Sequence, residues 1–475
     1  MPDNQAAVLS RLADCLGPGG LLTDPDQIAP YCRDWRSLFH GTALAVMRPA
    51  DATALSEALR ICAAAGIRID IVPQGGNTGL CGGATPSGSG VNIVVSFARM
   101  NTIGEVDATD GTMIVDAGVT LAAAQDAAAA AGMVLPLSIA AEGSAQIGGV
   151  LATNAGGSKA LRYGSARELV AGIEAICVDG TPLNLLRSLR KDNTGYALRQ
   201  LLVGSEGTLA LITRARLKLR PALTAREIAL CALPDDASVL RLFRIFQQHA
   251  GDVLEAFEYI SGVAMDLALT EVEGLNFPFS ERAPCYVLLE LASRQKDLRD
   301  TLEAALEEAL ETETVVDAVL AENMTQAEAL WRLREEQSEA QRLAGASIKH
   351  DISVPVPAVP TLLTQATAAC AAIMPDVRIA PFGHVGDGNI HFNLVQPAEM
   401  EGATFLRDGK ALTDAIHRVV HDLDGSFSAE HGVGQLKTDM METWRGGAEL
   451  ALMRRIKEAF DPAGRLNPGK VLPPA

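Results

Sequence analysis

Apolar positions recur along this chain at two spacings, and the spacing sorts it into elements. Residues 5–15 place apolar side chains three and four apart, as a helix with one buried stripe does. The run GPGG at 17–20 stops it. A short apolar run at 43–47 predicts a strand. Pro49 and Asp51 then open a helix that runs to Ala65 and ends at Gly66. Apolar runs at 67–72, 91–95, 170–178 and 209–213 predict further strands. The alanine run 127–131 predicts the inside of a packed helix. Beyond residue 220, strand-like runs at 227–232, 286–291, 347–355 and 388–395 alternate with helical stretches at 238–249, 295–310, 326–343 and 357–373. That alternation predicts an antiparallel sheet covered by helices on one face. A last helix is predicted over 448–460. Every eighteen-residue apolar window carries a charge or a helix breaker, so no membrane span is expected.

Glycine punctuates the first half. The segment PQGGNTGLCGG at 73–83 exposes successive backbone N–H groups with few side chains in the way, which suits a phosphate cradle. It is neither a Rossmann fingerprint nor a P-loop, because both need a helix directly after the glycines. Here the chain runs through 86–90 into another strand. Further glycine turns follow at 143–149 (GSAQIGG), 152–157 (ATNAGG), 161–164 (LRYG) and 201–208 (LLVGSEGT). Repeated turns of this kind suit an extended ligand lying along the backbone.

Charge narrows the partners. The formal net charge is −18, which argues against nucleic acid and against an anionic membrane surface. An acidic substrate then needs a local cationic pocket. The eight cysteines form no C-x-x-C pair, and the first residues lack the basic start and apolar run of an export signal. Both point to a cytoplasmic protein with free thiols.

The candidate chemistry lies in 381–393 (PFGHVGDGNIHFN). His384 and His391 flank a Gly-Asp-Gly turn, where Gly386 and Gly388 allow a fold that brings the two rings toward one point. Residues 390–393 read as a strand with His391 and Asn393 on one face. Downstream, Glu430 and His431 precede Gly432 and Gly434. Two imidazoles and a carboxylate suit a divalent metal with an open position. In an extended strand Glu430 and His431 would face opposite sides, so one could meet a metal and the other would point away from it. Arg334 and Ser338, four apart, share a face of one predicted helix, and Lys349 follows on a strand.

The order PQGGNTGL, IGG with ATNAGG, RYGS, KDNTGY, GSEGTL, GHVGDGN with H and N, EHGVG and LNPGK resembles the D-2-hydroxyacid dehydrogenases of the vanillyl-alcohol oxidase flavoprotein superfamily. The likeness runs from about residue 40 onward. It implies an α+β fold. A p-cresol methylhydroxylase-type (PCMH-type) FAD-binding domain of two subdomains occupies 38–220, after an N-terminal helical segment at 1–37. An α/β cap domain with an antiparallel sheet occupies 221–425 and binds substrate, and a C-terminal segment at 426–475 returns to the FAD domain.

The resemblance also implies roles. Pro73, Gln74, Gly75, Gly76, Asn77, Thr78, Gly79, Leu80 and Gly83 would wrap the FAD pyrophosphate. Gly143, Ser144, Ile147, Gly148, Gly149, Asn154, Gly156, Tyr163 and Gly164 would line the flavin. Glu206, Gly207 and Ile212 would also bind FAD, the strand after Gly207 approaching the adenine, with Asn467 near the isoalloxazine. Relatives with a covalent flavin often carry histidine where this chain has Asn77, so noncovalent FAD is expected. His384, His391 and Glu430 would hold zinc, manganese or cobalt, with His431 as general base. Asn393, Arg334, Ser338 and Lys349 would bind substrate, with Ser338 standing where the family has threonine. The activity implied is oxidation of a D-2-hydroxy acid, with D-2-hydroxyglutarate expected ahead of D-lactate. Electrons would pass to an electron-transfer flavoprotein or a respiratory-chain component. A non-catalytic flavin subunit of a larger complex is the reading from another class, and a homodimer is a possible assembly.

Overall fold

The computed structural model describes residues 2–294 and 297–474. The chain divides into two compact units. The first gathers residues up to 157, then 163–222 and 430 onward. The second takes 158–162 and 223–429.

The first unit carries two sheets. One has four strands in the order Leu21–Leu22, Ala45–Met47, Asn92–Ser96, Asp70–Gln74, the last three mutually parallel. Ile71, Ile93 and Val95 pack with the buried stripe of helix Ala52–Ala63 (Leu55, Leu59, Cys62) and with Val8 and Leu12 of helix Pro2–Leu16. The Asp51 carboxylate starts the first of these helices by accepting Ala54 N–H at 2.8 Å. The other sheet is antiparallel, in the order Ile103–Asp107, Thr112–Asp116, Leu211–Lys218, Val170–Ile176, Pro182–Leu185. Helix Leu121–Ala130 packs on it through Leu121, Ala124 and Ala128. Of the alanine run, only Ala128 is buried, while Ala129, Ala130 and Ala131 face solvent. A five-residue run must circle the helix, so helix geometry exposes part of it. The edge strand Asp70–Gln74 receives the C-terminal piece. Ile71 N–H donates to Arg465 O and Asn467 N–H donates to Ile71 O, at 2.8 and 2.7 Å.

The second unit is built on a seven-stranded antiparallel sheet. Its order is Asp317–Leu320, Ala225–Leu233, Cys285–Ser293, Leu254–Ser261, Phe382–Gly383, Asn389–His391, Asp351–Ser353. Helices cover both faces of this sheet, not one. Cys231, Leu233, Val287 and Leu289 face helices Ala237–Ala250, Leu298–Glu311 and Val359–Ile373. Leu230, Ala232, Tyr286 and Leu288 face helices Gly262–Glu271 and Met324–Glu335. The physical reason is composition. Strands Leu254–Ser261 and Cys285–Ser293 are buried at every position, and a sheet apolar on both sides needs two covers. The expected helix at 295–310 is observed as Leu298–Glu311, and its first predicted positions, Gln295 and Lys296, lie outside the described residues.

Three expected elements are broken where chemistry lies. The stretch 326–343 is two helices, Met324–Glu335 and Gln337–Leu343. The stretch 347–355 is two strands, Ser347–Ile348 and Asp351–Ser353. The stretch 388–395 is Asn389–His391 followed by Leu394–Val395, which belong to different sheets. Residues 356–373 are long and apolar enough to cross a membrane by composition. The α-helix Val359–Ile373 buries only one stripe of that segment, through Val359, Leu362, Leu363, Ala366 and Cys370, in the core of the second unit.

Candidate active site

In the first unit the glycine turns converge. Pro73 and Gln74 belong to the strand, and Gln74 is a latch, its amide donating to Tyr31 O and Ala84 O. The loop proper begins at Gly75. A side chain at Gly76 would strike Ser144 O, so 75–79 can lie against 143–149 only with glycine there. Asn77 takes a left-handed conformation (φ 53°) and donates to Arg33 O. Gly79 and Gly143 face open space in two loops that also hold Thr78, Leu80 and Ser144, and Gly149 faces open space from helix Ile147–Ala152, in which Gly148 packs against Ala117. Gln146 flanks Gly75 and keeps a buried Oε1 with no hydrogen-bond partner. Open glycines and an orphan acceptor fit a polar ligand threaded along the backbone.

The side chains of other expected residues are engaged within the protein around the cradle. Ile147 and Ile212 are in the apolar core, at 1% and 5% exposure. Asn154 is left-handed and accepts from Ser165 Oγ and Arg167 N–H, which ties the turn at Asn154 and Gly156 to the start of helix Ala166–Leu169. Tyr163 packs on that same core, and Gly164 takes φ 77° beside Glu168. Gly207 lies against the Pro73 ring.

Glu206 is the hub between the cradle and the C-terminal piece. Its carboxylate accepts Val433 N–H at 2.7 Å and Gly434 N–H at 2.8 Å. Burial raises its pKa, and those two amides and Lys470 oppose the rise. Asn467, also left-handed, donates to Gly83 O and to Glu206 O, and its buried Oδ1 lacks a partner. Burial pulls the Lys470 ammonium down to about 8 against the attraction of Glu206. Just before this loop, Glu430 Oε2 accepts Gly157 N–H, and Glu430 Oε1 lies 3.7 Å from His431 Nε2. The two side chains therefore approach each other and do not face opposite sides. The segment is a bend, not a strand, and Gly432 turns it with φ 75°.

The second unit holds the histidine pair. The rings of His384 and His391 lie 5.6 Å apart at 77°. Gly388 makes the intervening turn with φ 85°, where a side chain would strike Val354 O. Gly386 serves by close approach to Leu161 and Phe257. Phe382 lies under both His391, at 5.0 Å, and the Arg334 guanidinium, at 4.8 Å. Arg334 is buried at 8% exposure, whereas Ser338 and Lys349 are exposed. Asn393 is buried, with Oδ1 accepting His350 N–H and Nδ2 donating to Gln341 Oε1, so those two bonds serve the scaffold. The chain kinks at this point, since Asn393 N–H bonds back to His391 O, and the shared strand face expected for the two residues is lost.

Two carboxylates here escaped the sequence reading. Glu258 accepts from His384 Nδ1 at 2.7 Å and from Arg334 Nε at 2.8 Å. Burial alone would raise its pKa, but His384 and Arg334 outweigh it and hold the carboxylate at about 2. Asp351 Oδ1 lies 4.0 Å from His391 Nδ1 and accepts from the Asn389 amide. A signal was available in the strand LEAFEYIS at 254–261. A charged residue inside a buried apolar strand is costly unless paired, so each of its glutamates implies a partner.

A glycine cradle on one unit, and paired histidines with a buried arginine on the other, point to a flavoenzyme. Comparison bears this out. The profile of the FAD binding domain matches residues 43–186, and that of the C-terminal domain of FAD linked oxidases matches 223–471. The chain is 37% identical to the D-2-hydroxyglutarate dehydrogenase of Xanthomonas citri pv. viticola, over 95% of this chain and 94% of that one. It is also 37% identical to the mitochondrial D-2-hydroxyglutarate dehydrogenase of Bos taurus, over 99% and 84%. Among solved structures, p-cresol methylhydroxylase with substrate bound superposes with a TM-score of 0.75 at 14% identity, covering 100% of this chain and 98% of that one. Alkyldihydroxyacetonephosphate synthase gives 0.73 at 16%, covering 98% and 84%. The fold is thus the PCMH-type flavoprotein fold. The chain belongs to the FAD-linked D-2-hydroxyacid dehydrogenases.

Proposed function

We propose that this chain oxidises D-2-hydroxyglutarate to 2-oxoglutarate with noncovalent FAD and a divalent metal, zinc by its donor types. The observation that carries the reading is the patch on Phe382, where a buried arginine and a histidine pair share one small surface. When bound, FAD supplies a hydride acceptor and the metal polarises the substrate hydroxyl. His384 and His391 are the imidazole donors, and Glu430 is the third donor that the motif supplies. The Glu258 carboxylate fits this use of His384, because accepting the Nδ1 proton presents Nε2 as the ligand atom. His431 takes the hydroxyl proton. Arg334 grips the distal carboxylate and Lys349 adds a second cation, with Ser338 as an accessory hydroxyl. Asn393 positions the patch.

An acidic chain disfavours a dianion at long range, so this local cation set decides the substrate class. Similarity to enzymes named for D-2-hydroxyglutarate supports the same choice. A cytoplasmic site of action and an electron-transfer flavoprotein as acceptor complete the reading. The test is anaerobic. D-2-hydroxyglutarate alone should bleach the flavin absorbance, a chelator should stop the bleaching while FAD stays bound, and zinc should restore it. Flavin that stays oxidised with this substrate refutes the substrate. Full reduction in a sample shown to be metal-free refutes the metal.

A further inference from the structure

We infer that Glu258 is a positioning residue that sets two site groups at once, the imidazole of His384 and the guanidinium of Arg334. The inference rests on the reading of His384 as a metal donor. Glu258 sits in the interior of strand Leu254–Ser261, at 1% exposure, opposite Leu288 of the next strand. Each of its oxygens has its own partner, Oε1 with His384 Nδ1 and Oε2 with Arg334 Nε.

Two other buried glutamates in the same sheet show what a purely structural pairing looks like here. Glu290 takes Arg226 in a fork, both bonds at 2.7 Å, and fills its remaining capacity with Trp331 Nε1. Glu255 is met by Lys159 and Arg162. Both take cations at their carboxylates, and Glu290 an indole as well. Glu258 spends one oxygen on an imidazole and only one on its arginine, so Arg334 is held by its Nε edge and by the Phe382 face. That leaves the guanidinium plane fixed while its terminal amino groups are not committed to Glu258. The imidazole, in turn, is locked in the tautomer with hydrogen on Nδ1. One carboxylate therefore ties the metal donor to the distal carboxylate grip, and the two should weaken together when it is altered.

The test is Glu258→Gln in the full-length flavoprotein. A carboxamide keeps one acceptor and turns an amino group toward the other donor, so one partner loses its orientation. Zinc affinity of the metal-stripped protein, titrated against a competing chelator, should weaken by about 10- to 100-fold. The KM for D-2-hydroxyglutarate should rise in the same variant, with FAD occupancy and melting temperature recorded alongside. Should an unpaired Arg334 prevent folding, Glu258→Gln combined with Arg334→Met removes the stranded charge and should still show the zinc defect. A variant with parental zinc affinity and parental KM overturns the inference, even if its melting temperature falls, and leaves the metal reading intact. A parent chain that binds no zinc in the same titration, indistinguishable from a His391→Ala control, overturns the metal reading and the inference with it.

Discussion

Removing the Glu206 carboxylate should loosen the loop that bears His431. Glu206 holds Val433 N–H and Gly434 N–H at 2.7 and 2.8 Å from a left-handed backbone (φ 50°). A hydrogen bond to a charged group contributes about 1.5–3 kcal/mol net, so the pair is worth roughly 3–6 kcal/mol. Relief of the buried charge offsets part of this, and the expected loss for Glu206→Ala is about 2–4 kcal/mol. Backbone conformation supplies an internal control. A left-handed non-glycine residue costs about 1–2 kcal/mol, so Glu206→Gly sheds that strain while losing the same bonds. Glu206→Gln keeps the strain and one acceptor. Damage should therefore rank Ala above Gly, with Gln mildest. Urea unfolding followed by flavin fluorescence gives the energies, and rapid mixing with substrate gives flavin reduction, expected to slow by about 10- to 100-fold in Glu206→Ala from displacement of His431. If all three variants unfold within about 0.5 kcal/mol of the parent, or if Gly is worse than Ala, the clamp assignment is wrong.

His431→Asn should slow flavin reduction by about two to four orders of magnitude with little change in substrate affinity, and a parental rate would remove His431 from proton transfer. Arg334→Ala should hurt D-2-hydroxyglutarate and D-malate far more than D-lactate, whereas equal losses for all three would assign the arginine to the common end or to the fold. Alkaline stability offers a separate check. Burial lifts the Cys231 thiol from an ordinary 9.0 to about 12. A raised folded pKa stabilises below pH 9 and is lost as pH climbs toward 12, so at pH 10.5 this thiol should have forfeited about 2 kcal/mol. Unfolding at pH 8 and 10.5 should show a shallower decline in Cys231→Ala, and an unchanged decline would contradict the assignment.

How far the fold could be read from sequence depended on what each residue type can encode. Glycine loops were legible, because close approach and positive φ leave few alternatives. Gly76 against Ser144 and Gly388 against Val354 are cases where any side chain fails. Strands of the second unit were legible as apolar runs, but the number of covered faces was read as one where the structure has two. Strand Leu254–Ser261 went unread because Glu255 and Glu258 interrupt its apolar run, and their partners lie about 75 to 130 residues away in the chain. Local spacing also failed where backbone turns override periodicity. Arg334 and Ser338 sit four apart, yet one is buried and the other exposed across the break at Glu336. Glu430 and His431 are neighbours that a strand would separate and a bend brings together.

The strand Asp70–Gln74 is an edge, and the segment that covers it, through Leu466, is made only after residues 223–429 of the second unit. Between the end of the first unit's middle segment at Ala222 and the arrival of Asn467, the whole second unit must be synthesised. At roughly 5–20 residues per second, that interval is about 10–50 s. For that time on the ribosome the nascent flavin unit presents an unpaired row of N–H and C=O groups beside an unfilled cradle, the kind of edge that recruits other chains. Yield of this protein in a cell should thus depend on translation speed through residues 223–429 and on chaperones that shield Ile71 and its neighbours, more than on the stability of the finished fold.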